Sequence, residues 1–276
     1  MRRKIIIPKK ELKRLYYKEK KSKYKIGAIY GCSFKTVLNR MRECGMKPLP
    51  RSVIQSKYEK KDFSGNKLEK AYILGFRVGD LNVYKTTEES KVIVARCNTT
   101  MTEQAELLEK IFSKYGKVSY NKKGKEAYSV NCFLNDSFDF LLPKSCDVED
   151  WITLKNNYSA SFASGYIDAE GNIGVYDGRA RFKIDSYDRE IIHWMYKWFV
   201  KNDIICPIPK KIYKKNQVYN KSKNYKYNED LWRLRVSNQE SLKRLFDLIY
   251  SFIKHKKRKE DIKKCLNNLN DRKKKK

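Results

Sequence analysis

Two acidic residues carry the chemistry most legible in this 276-residue chain. Asp80 closes the stretch AYILGFRVGD, and Glu170 closes SFASGYIDAE ninety residues further on. Each stretch reads as an apolar helix holding two small residues four apart, Gly75 with Gly79 and Gly165 with Ala169. That spacing puts both small residues on one helix face, so two such helices can cross with their backbones nearly touching. Glycine inside a helix costs roughly 0.5 to 1 kcal/mol relative to alanine, so a repeated pair points to a helix seam that demands close contact. A carboxylate at a helix C-terminus sits where the macrodipole is already negative, roughly −0.5 charge. Bringing two such ends together raises the carboxyl pKa values or recruits a cation. Mg2+, a hard ion that takes a few carboxylates plus phosphate oxygens and water, suits the pair. A metal there would polarise a phosphate, generate hydroxide and stabilise a leaving oxygen, the requirements of phosphodiester hydrolysis.

The elements that must position these acids read as a duplication. After Asp80 come a strand-like run at 91–98, an amphipathic helix at 102–115, strands at 117–121 and 127–134, and a helical segment around 138–154. After Glu170 come strands at 173–176 and 179–185, a helix at 189–202, strands near 210–214 and 231–236, and a final helix from 240 to about 268. Each half therefore reads αββαββα, which predicts an α+β domain over 67–268 with pseudo-symmetric halves at about 67–155 and 156–268, and a basic tail at 269–276.

Ahead of that domain, residues 1–66 hold 20 Lys+Arg against 5 Asp+Glu. Helices are expected at 11–19, 23–30 and 33–44, with Gly31 breaking the chain and Ser33 as an N-cap. Gly27, Gly31 and Val37 have the spacing in which a small residue admits a crossing helix, a glycine turns and an apolar residue anchors the next helix. The segment KIGAIYGCSFKTVLNRM resembles the helix-turn-helix family, which implies an all-α DNA-binding domain at 1–47. Val37 and Met41 would then face inward, while Lys35, Thr36, Asn39 and Arg40 would face the major groove. A basic helical hairpin without that role is the alternative. Residues 48–66, with two prolines and a Ser-Gly, read as a linker.

Across the whole chain, 63 Lys+Arg oppose 32 Asp+Glu, a net +31, so a polyanion is the expected partner. Hydrophobic residues at 41% allow two real cores. No apolar run approaches the ~18 residues of a spanning helix, and the start is too short for a signal peptide's apolar region; neither membrane nor secretion is expected, and the cytoplasm is. Seven cysteines show no Cys-x-x-Cys pair, and only His193 and His255 could assist them, which argues against a zinc site or a disulfide framework.

The segments ASGYIDAEG (163–171) and, more loosely, ILGFRVGDL (73–81) are similar to the paired signature of the LAGLIDADG homing endonucleases in single-chain form, and the resemblance covers about 71–268. It implies a β-saddle of two four-stranded antiparallel sheets on the DNA major groove, around a central two-helix seam whose acids, here Asp80 and Glu170, bind divalent metal and serve catalysis. It also implies basic residues near the metals, for which Lys144 and Lys256 are the candidates, and water-positioning groups, for which Thr100 and Ser186 are. The residues themselves offer Arg179, Arg181 and Lys183 on one strand, and Arg233 and Arg235 on another, each set on one side of its strand; Lys211 joins them. The first half adds Arg96, Asn98, Lys122 and Lys125. A solvated strand face is the alternative for all of these. The Tyr/Lys/Asn stretch 214–228 reads as a hairpin that folds on a nucleic-acid backbone. Against the family pattern, Leu81 stands where a glycine is usual, Arg77 is charged, Glu170 replaces the commoner aspartate, and Asp168, matched by Val78, reads as structural. The expected protein is a monomeric, Mg2+-dependent, site-specific endonuclease acting on double-stranded DNA. A catalytically inactive relative, either an intron maturase that binds structured intron RNA or a DNA-binding regulator, is the alternative.

Overall fold

A small apolar cluster folds the highly charged N-terminal segment. The computed structural model describes residues 6–49, 58–123, 127–220 and 222–274, and the chain divides into one unit of Met1–Glu59 with Thr87–Val92 and a second of Lys60–Thr86 with Ile93–Lys276. In the first, α1 (Lys9–Lys13) runs into a wider π-helical turn, Arg14–Lys18, followed by α2 (Lys23–Ile29) and α3 (Phe34–Glu43). Ile7, Leu12, Leu15, Tyr16, Ile26, Val37, Met41 and Met46 form its core. Ser22 and Ser33 cap the second and third helices by accepting from the Lys25 and Thr36 amides. Gly31 sits at φ +63, the left-handed region a turn glycine serves. A Cβ on Gly27 would lie 2.5 Å from the Cys32 carbonyl oxygen, so the small residue there lets the turn close.

The second unit is built twice. Its first half comprises α4 (Lys67–Gly79), β1 (Asn82–Lys85), β2 (Ile93–Thr99), α5 (Thr102–Phe112), β3 (Lys117–Lys123) and β4 (Ala127–Leu134). A short helical turn, Asp136–Leu141, and α6 (Asp150–Thr153) lead to the second half. That half comprises α7 (Asn156–Glu170), β5 (Gly171–Tyr176), β6 (Arg179–Ser186), α8 (Arg189–Lys201), β7 (Lys210–Tyr213), the hairpin strands β8 (Val218–Asn220) and β9 (Tyr225–Lys226), β10 (Leu231–Val236), α9 (Gln239–Ile249) and α10 (Lys256–Lys274). The two four-stranded sheets are antiparallel and equivalent in order, β1-β2-β4-β3 and β5-β6-β10-β7. The α+β class and the internal duplication are thus as the sequence implies.

Between the halves, α4 and α7 cross with backbone on backbone. A Cβ on Gly75 would collide with the Phe162 carbonyl oxygen, and one on Gly165 with the Tyr72 carbonyl oxygen. The two glycines are reciprocal: each removes the side chain that would push the partner helix away. Asn66 caps α4 by accepting from the Glu69 amide, and Ser161 Oγ donates to the Leu68 carbonyl across the seam at 2.7 Å. The pairing buries ten residues of α7, Ser159 to Asp168, and eight of α4.

Four boundaries differ from the sequence reading. β1 is too short and mixed to stand out as a periodic run, yet pairing with β2 makes it a strand. The segment at 138–154 is two short helical pieces rather than one helix, broken around Pro143. The final helix is two helices, interrupted at 250–255. Residues 269–274 continue α10, with Leu269 buried in the core, so the tail is helical as far as Lys274. Part of the linker, 50–57, lies outside the described residues; its end packs into the second unit, where Lys61 N donates to Tyr115 O at 2.8 Å and Phe63 N to Ser137 Oγ at 2.8 Å.

Adding one methyl at Gly75 or Gly165 forces the two backbones apart. We expect either alanine variant to lose about 3 kcal/mol or more of stability, a drop of roughly 6 to 12 °C in melting temperature for a unit of this size. Thermal unfolding by circular dichroism checks this, with Gly178→Ala, at φ +70 with open space around it, as a milder turn-strain control.

Candidate active site at the helix seam

The crossing delivers the two acids to one place. Asp80 is the C-cap of α4 and Glu170 the last residue of α7. A Cβ on Gly79 would lie 2.5 Å from Ala169 Cβ, 3.2 Å from Glu170 Cγ and 3.5 Å from Glu170 Oε1, so the residue next to Asp80 is already against the Glu170 carboxyl. The chain leaves α7 directly into β5 at Gly171, where a Cβ would strike the Ile167 carbonyl and side chain. In the first half, Leu81 takes that place and turns into the core, and Arg77 donates to the Leu81 carbonyl just past its own helix and to the Leu141 carbonyl at the end of the turn Asp136–Leu141.

Burial raises the Asp80 pKa to about 6, opposed by Arg258, the Gln104 amide and Lys144. The Gln104 Nε2 donates to Asp80 Oδ2 at 2.6 Å. Glu170 is pushed up to about 7 by burial first, then by the negative charges of Asp80 and Asp188, with Lys144 and Arg258 opposing. Two carboxylates and two cations thus share one site. Lys144 is where the sequence reading puts a cation. On the other side the cation is Arg258 rather than Lys256: Lys256 is the exposed first residue of α10, and two helical steps, about 200°, separate the faces of the two side chains. Among the described residues the Arg258 Nε is buried with no hydrogen-bond partner. Sequence reasoning missed Gln104 as well; its only signal was position on the inner face of the amphipathic helix α5.

Asp168 proves to be a clamp. Its Oδ2 accepts from Tyr72 OH on the opposite motif helix at 2.6 Å and from the Lys254 and His255 amides at 2.7 and 3.1 Å. Those two amides precede α10, so Asp168 ties the interruption at 250–255 to the seam and sets where Arg258 begins its approach. Burial raises its pKa to about 6 against these donors. Ser186 is buried and accepts from Tyr166 OH at 2.7 Å while bonding Asp188, so its hydroxyl is committed within the protein. Thr100 is exposed in the turn before α5.

The donor set fits a hard divalent cation. Among the described residues no group of three His, Cys, Asp or Glu side chains encloses an ion, and two carboxylates are what Mg2+ accepts when phosphate and water complete its shell. Asp80 and Glu170 would hold it.

Beside the seam, the outer face of the second sheet carries the predicted cations in register. Arg179, Arg181 and Lys183 alternate on β6 with buried Ala180, Phe182 and Ile184, and Arg235 and Arg233 of β10 lie opposite Lys183 and Asp185. Arg272 joins them around a groove of about 600 Å3. Three members are already paired: Arg233 makes a double hydrogen bond to Asp185 at 2.6 and 2.7 Å, Lys183 lies 3.7 Å from the same carboxylate, and Arg181 contacts Asp177 at 3.1 Å. Lys211 pairs with Trp232, on the opposite side from Arg233, and rests over its ring; Lys210 is the residue opposite Arg233. On the first sheet, Arg96 donates to Asn131 Oδ1 at 2.7 Å and lies over the Tyr84 ring, with Asn98 exposed on the same side. Lys122 pairs in register with Tyr128, and Lys125 lies outside the described residues.

In the N-terminal unit, Lys35 and Asn39 are exposed on α3. Thr36 Oγ1 is bonded to the capping Ser33 hydroxyl, and Arg40 donates to the Ile7 carbonyl at 3.0 Å and to Glu43. Arg40 therefore packs the unit together, and exposed Arg42 continues the Lys35/Asn39 face at helical spacing.

No family model matches the chain. An uncharacterised protein of Methanocaldococcus jannaschii, MJ0398, is 23% identical over 206 residues, covering 73% of this chain and 72% of that protein. Among solved structures, I-DmoI in complex with DNA and Mn is similar at 15% identity and a TM-score of 0.45, covering 67% of this chain and 97% of that one. The homing endonuclease I-WcaI bound to its DNA recognition sequence is similar at 14% identity and a TM-score of 0.48, covering 78% and 94%. The LAGLIDADG homing endonuclease I-GzeII in complex with its DNA target gives 10% and 0.45, covering 76% and 91%. At these identities and TM-scores the reading of the site rests on its own geometry. No helix among the described residues is long and apolar enough to cross a membrane.

Both acids hold their protons more tightly in the folded chain than in the unfolded one. That contribution to stability is fully present below about pH 4 and is lost as pH rises through about 6 for Asp80 and 7 for Glu170. An Asp80→Asn, Glu170→Gln double variant, which has no such loss, is expected to melt higher than the natural chain at pH 8 in metal-free buffer, the gap closing toward pH 4. Mg2+ at pH 8 should raise the melting temperature of the natural chain alone. Scanning calorimetry at the two pH values reads both effects, and a gap that does not change with pH would contradict the electrostatic account.

Proposed function

We propose that this chain is a divalent-metal-dependent, site-specific endonuclease of double-stranded DNA, of the LAGLIDADG homing type, acting as a monomer. The observation that carries it is the seam: two glycine-paired helices end side by side on Asp80 and Glu170, whose raised pKa values are those of carboxylates awaiting a cation. A bound divalent ion, most simply Mg2+, would supply charge neutralisation of the scissile phosphate and an acidified water. The chain's own groups do the rest. Asp80 and Glu170 hold the ion, with Gln104 fixing the Asp80 rotamer. Lys144 and Arg258, the cations that act on both acids, meet the charge that builds on the phosphate oxygens during displacement. Asp168 and Tyr72 position Arg258 by anchoring the chain just before α10.

The cations of β6 and β10, with Arg96 and Asn98 on the first sheet, support a duplex-binding face, because alternating strand residues present a row of donors to phosphates and base edges. The N-terminal unit reads as a helix-turn-helix that lengthens the recognised site through Lys35, Asn39 and Arg42. Retention of both acids favours cleavage over a purely binding role, since a scaffold that only held DNA or intron RNA would gain stability from losing them.

Cleavage of a duplex library is expected to require both Mg2+ and the two acids: the Asp80→Asn, Glu170→Gln variant binds but does not cut. Arg258→Ala and Lys144→Ala should each slow cleavage of bound duplex by about 10². Replacing Lys35, Asn39 and Arg42 together by alanine should weaken duplex binding and flatten its salt dependence while leaving the cutting rate of bound duplex unchanged. Gel assays with and without metal, across a salt series, read all three outcomes. Tight capture of a structured intron with no nicking of any duplex would replace this reading with the maturase one.

A further inference from the structure

Between β7 and β10 the chain makes an excursion that the active site does not use. Residues 210–230 hold seven lysines against only Glu229 and Asp230. Its backbone is held by the β8–β9 pairing, by Asn216 N to Tyr227 O at 2.8 Å and Tyr227 N to Gln217 O at 3.0 Å, and by left-handed turns at Asn216 and Asn224. A two-stranded hairpin of this length has little stability of its own. Four tyrosines run along it in contact: Tyr213 stacks on Tyr227 at 4.5 Å between centroids, Tyr219 lies 5.0 Å from Tyr227, and Tyr225 6.0 Å from Tyr219. None of the four belongs to the core of the second unit. Tyr219 and Tyr225 remain 57% and 50% exposed.

We propose that this hairpin is a binding platform for single-stranded polynucleotide, in which the exposed Tyr219 and Tyr225 rings stack on unpaired bases and the surrounding lysines hold the backbone. Folding alone does not call for half-exposed aromatic rings at the tip. Tyr213 and Tyr227, closer to the sheet, suffice to brace the hairpin. Exposed Lys214, Lys215, Lys223 and Lys226 form no ion pair among the described residues, and Lys223 stands 5.9 Å above the Tyr225 ring, which places cation and aromatic face side by side as phosphate and base are in a strand. In a duplex the base faces are stacked inside the helix and closed to such rings. An unpaired stretch of either DNA or RNA offers them. The proposal does not involve Asp80 or Glu170 and stands apart from the endonuclease reading.

The test is fluorescence anisotropy of the full chain with labelled oligothymidylate, oligouridylate and a duplex of equal length, in metal-free buffer. A Tyr219→Ala, Tyr225→Ala variant should lose about tenfold or more in affinity for the single strand with less than about twofold change for the duplex. A Tyr219→Phe, Tyr225→Phe variant, which keeps the rings, should bind like the natural chain, so that loss of the hydroxyls or of the hairpin fold is separated from loss of stacking. The two single-stranded arms decide whether DNA or RNA is preferred. Equal loss on duplex and single strand, no loss on either, or loss in the phenylalanine variant as large as in the alanine one would each overturn the proposal. The Asp80→Asn, Glu170→Gln variant should match the natural chain here, so failure of one reading does not carry the other with it.

Discussion

Gly75 and Gly165 meet the opposite helix with no side chain between the backbones, and the second unit is organised around that contact. Each glycine lies against a carbonyl of the other motif helix. The consequence is positional: because the helix axes come so close, the residues at the two C-terminal ends, Asp80 and Glu170, arrive beside each other. Dispersion between tightly packed backbones and the burial of Tyr72, Phe76, Phe162 and Tyr166 offset the cost of helical glycines. Electrostatics then runs against stability at one end of the seam, where burial raises both carboxyls and the negative charges of Asp80 and Asp188 raise Glu170 further. Keeping two partly buried acids side by side costs stability at neutral pH and above.

Around this pair the protein arranges positive charge at two distances. Lys144 and Arg258 stand close enough to shift the acids, whereas Arg179, Arg181, Lys183, Arg233 and Arg235 line a separate groove on the sheet. The first set offsets the negative charge of the two seam acids, whereas the second stands in register along β6 and β10. Asp168 links the seam to the first set. By accepting from Tyr72 and from two backbone amides ahead of α10, it transmits the position of the motif helices to Arg258. A buried carboxylate with one oxygen accepting three hydrogen bonds and the other, among the described residues, accepting none is a costly clamp.

Much of this is legible in the sequence alone. Small residues four apart, repeated ninety residues on and each followed by an acid, predict a close helix crossing and the pairing of Asp80 with Glu170, because helical periodicity depends on local spacing alone. Strand alternation likewise puts Arg179, Arg181 and Lys183 on one face, and Ser33 and Gly31 mark a helix start and a turn. Charge excess needs no structure to imply a polyanion.

Tertiary structure decided what local pattern leaves free. Arg258 rather than Lys256 acts on the acids, and the amides just ahead of its helix are held by Asp168 through long-range hydrogen bonds that have no signature in neighbouring residues. Gln104 reaches Asp80 from a helix, α5, that packs against β2, β3 and β4 of its own sheet. Lys210 instead of Lys211 lies opposite Arg233 because a shift in register between Leu231 and Trp232 sets which side each lysine takes. Arg40 is drawn inward by the Ile7 carbonyl, thirty-three residues away in sequence. Spacing along the chain determines which residues share a face; only packing between distant segments determines what that face meets.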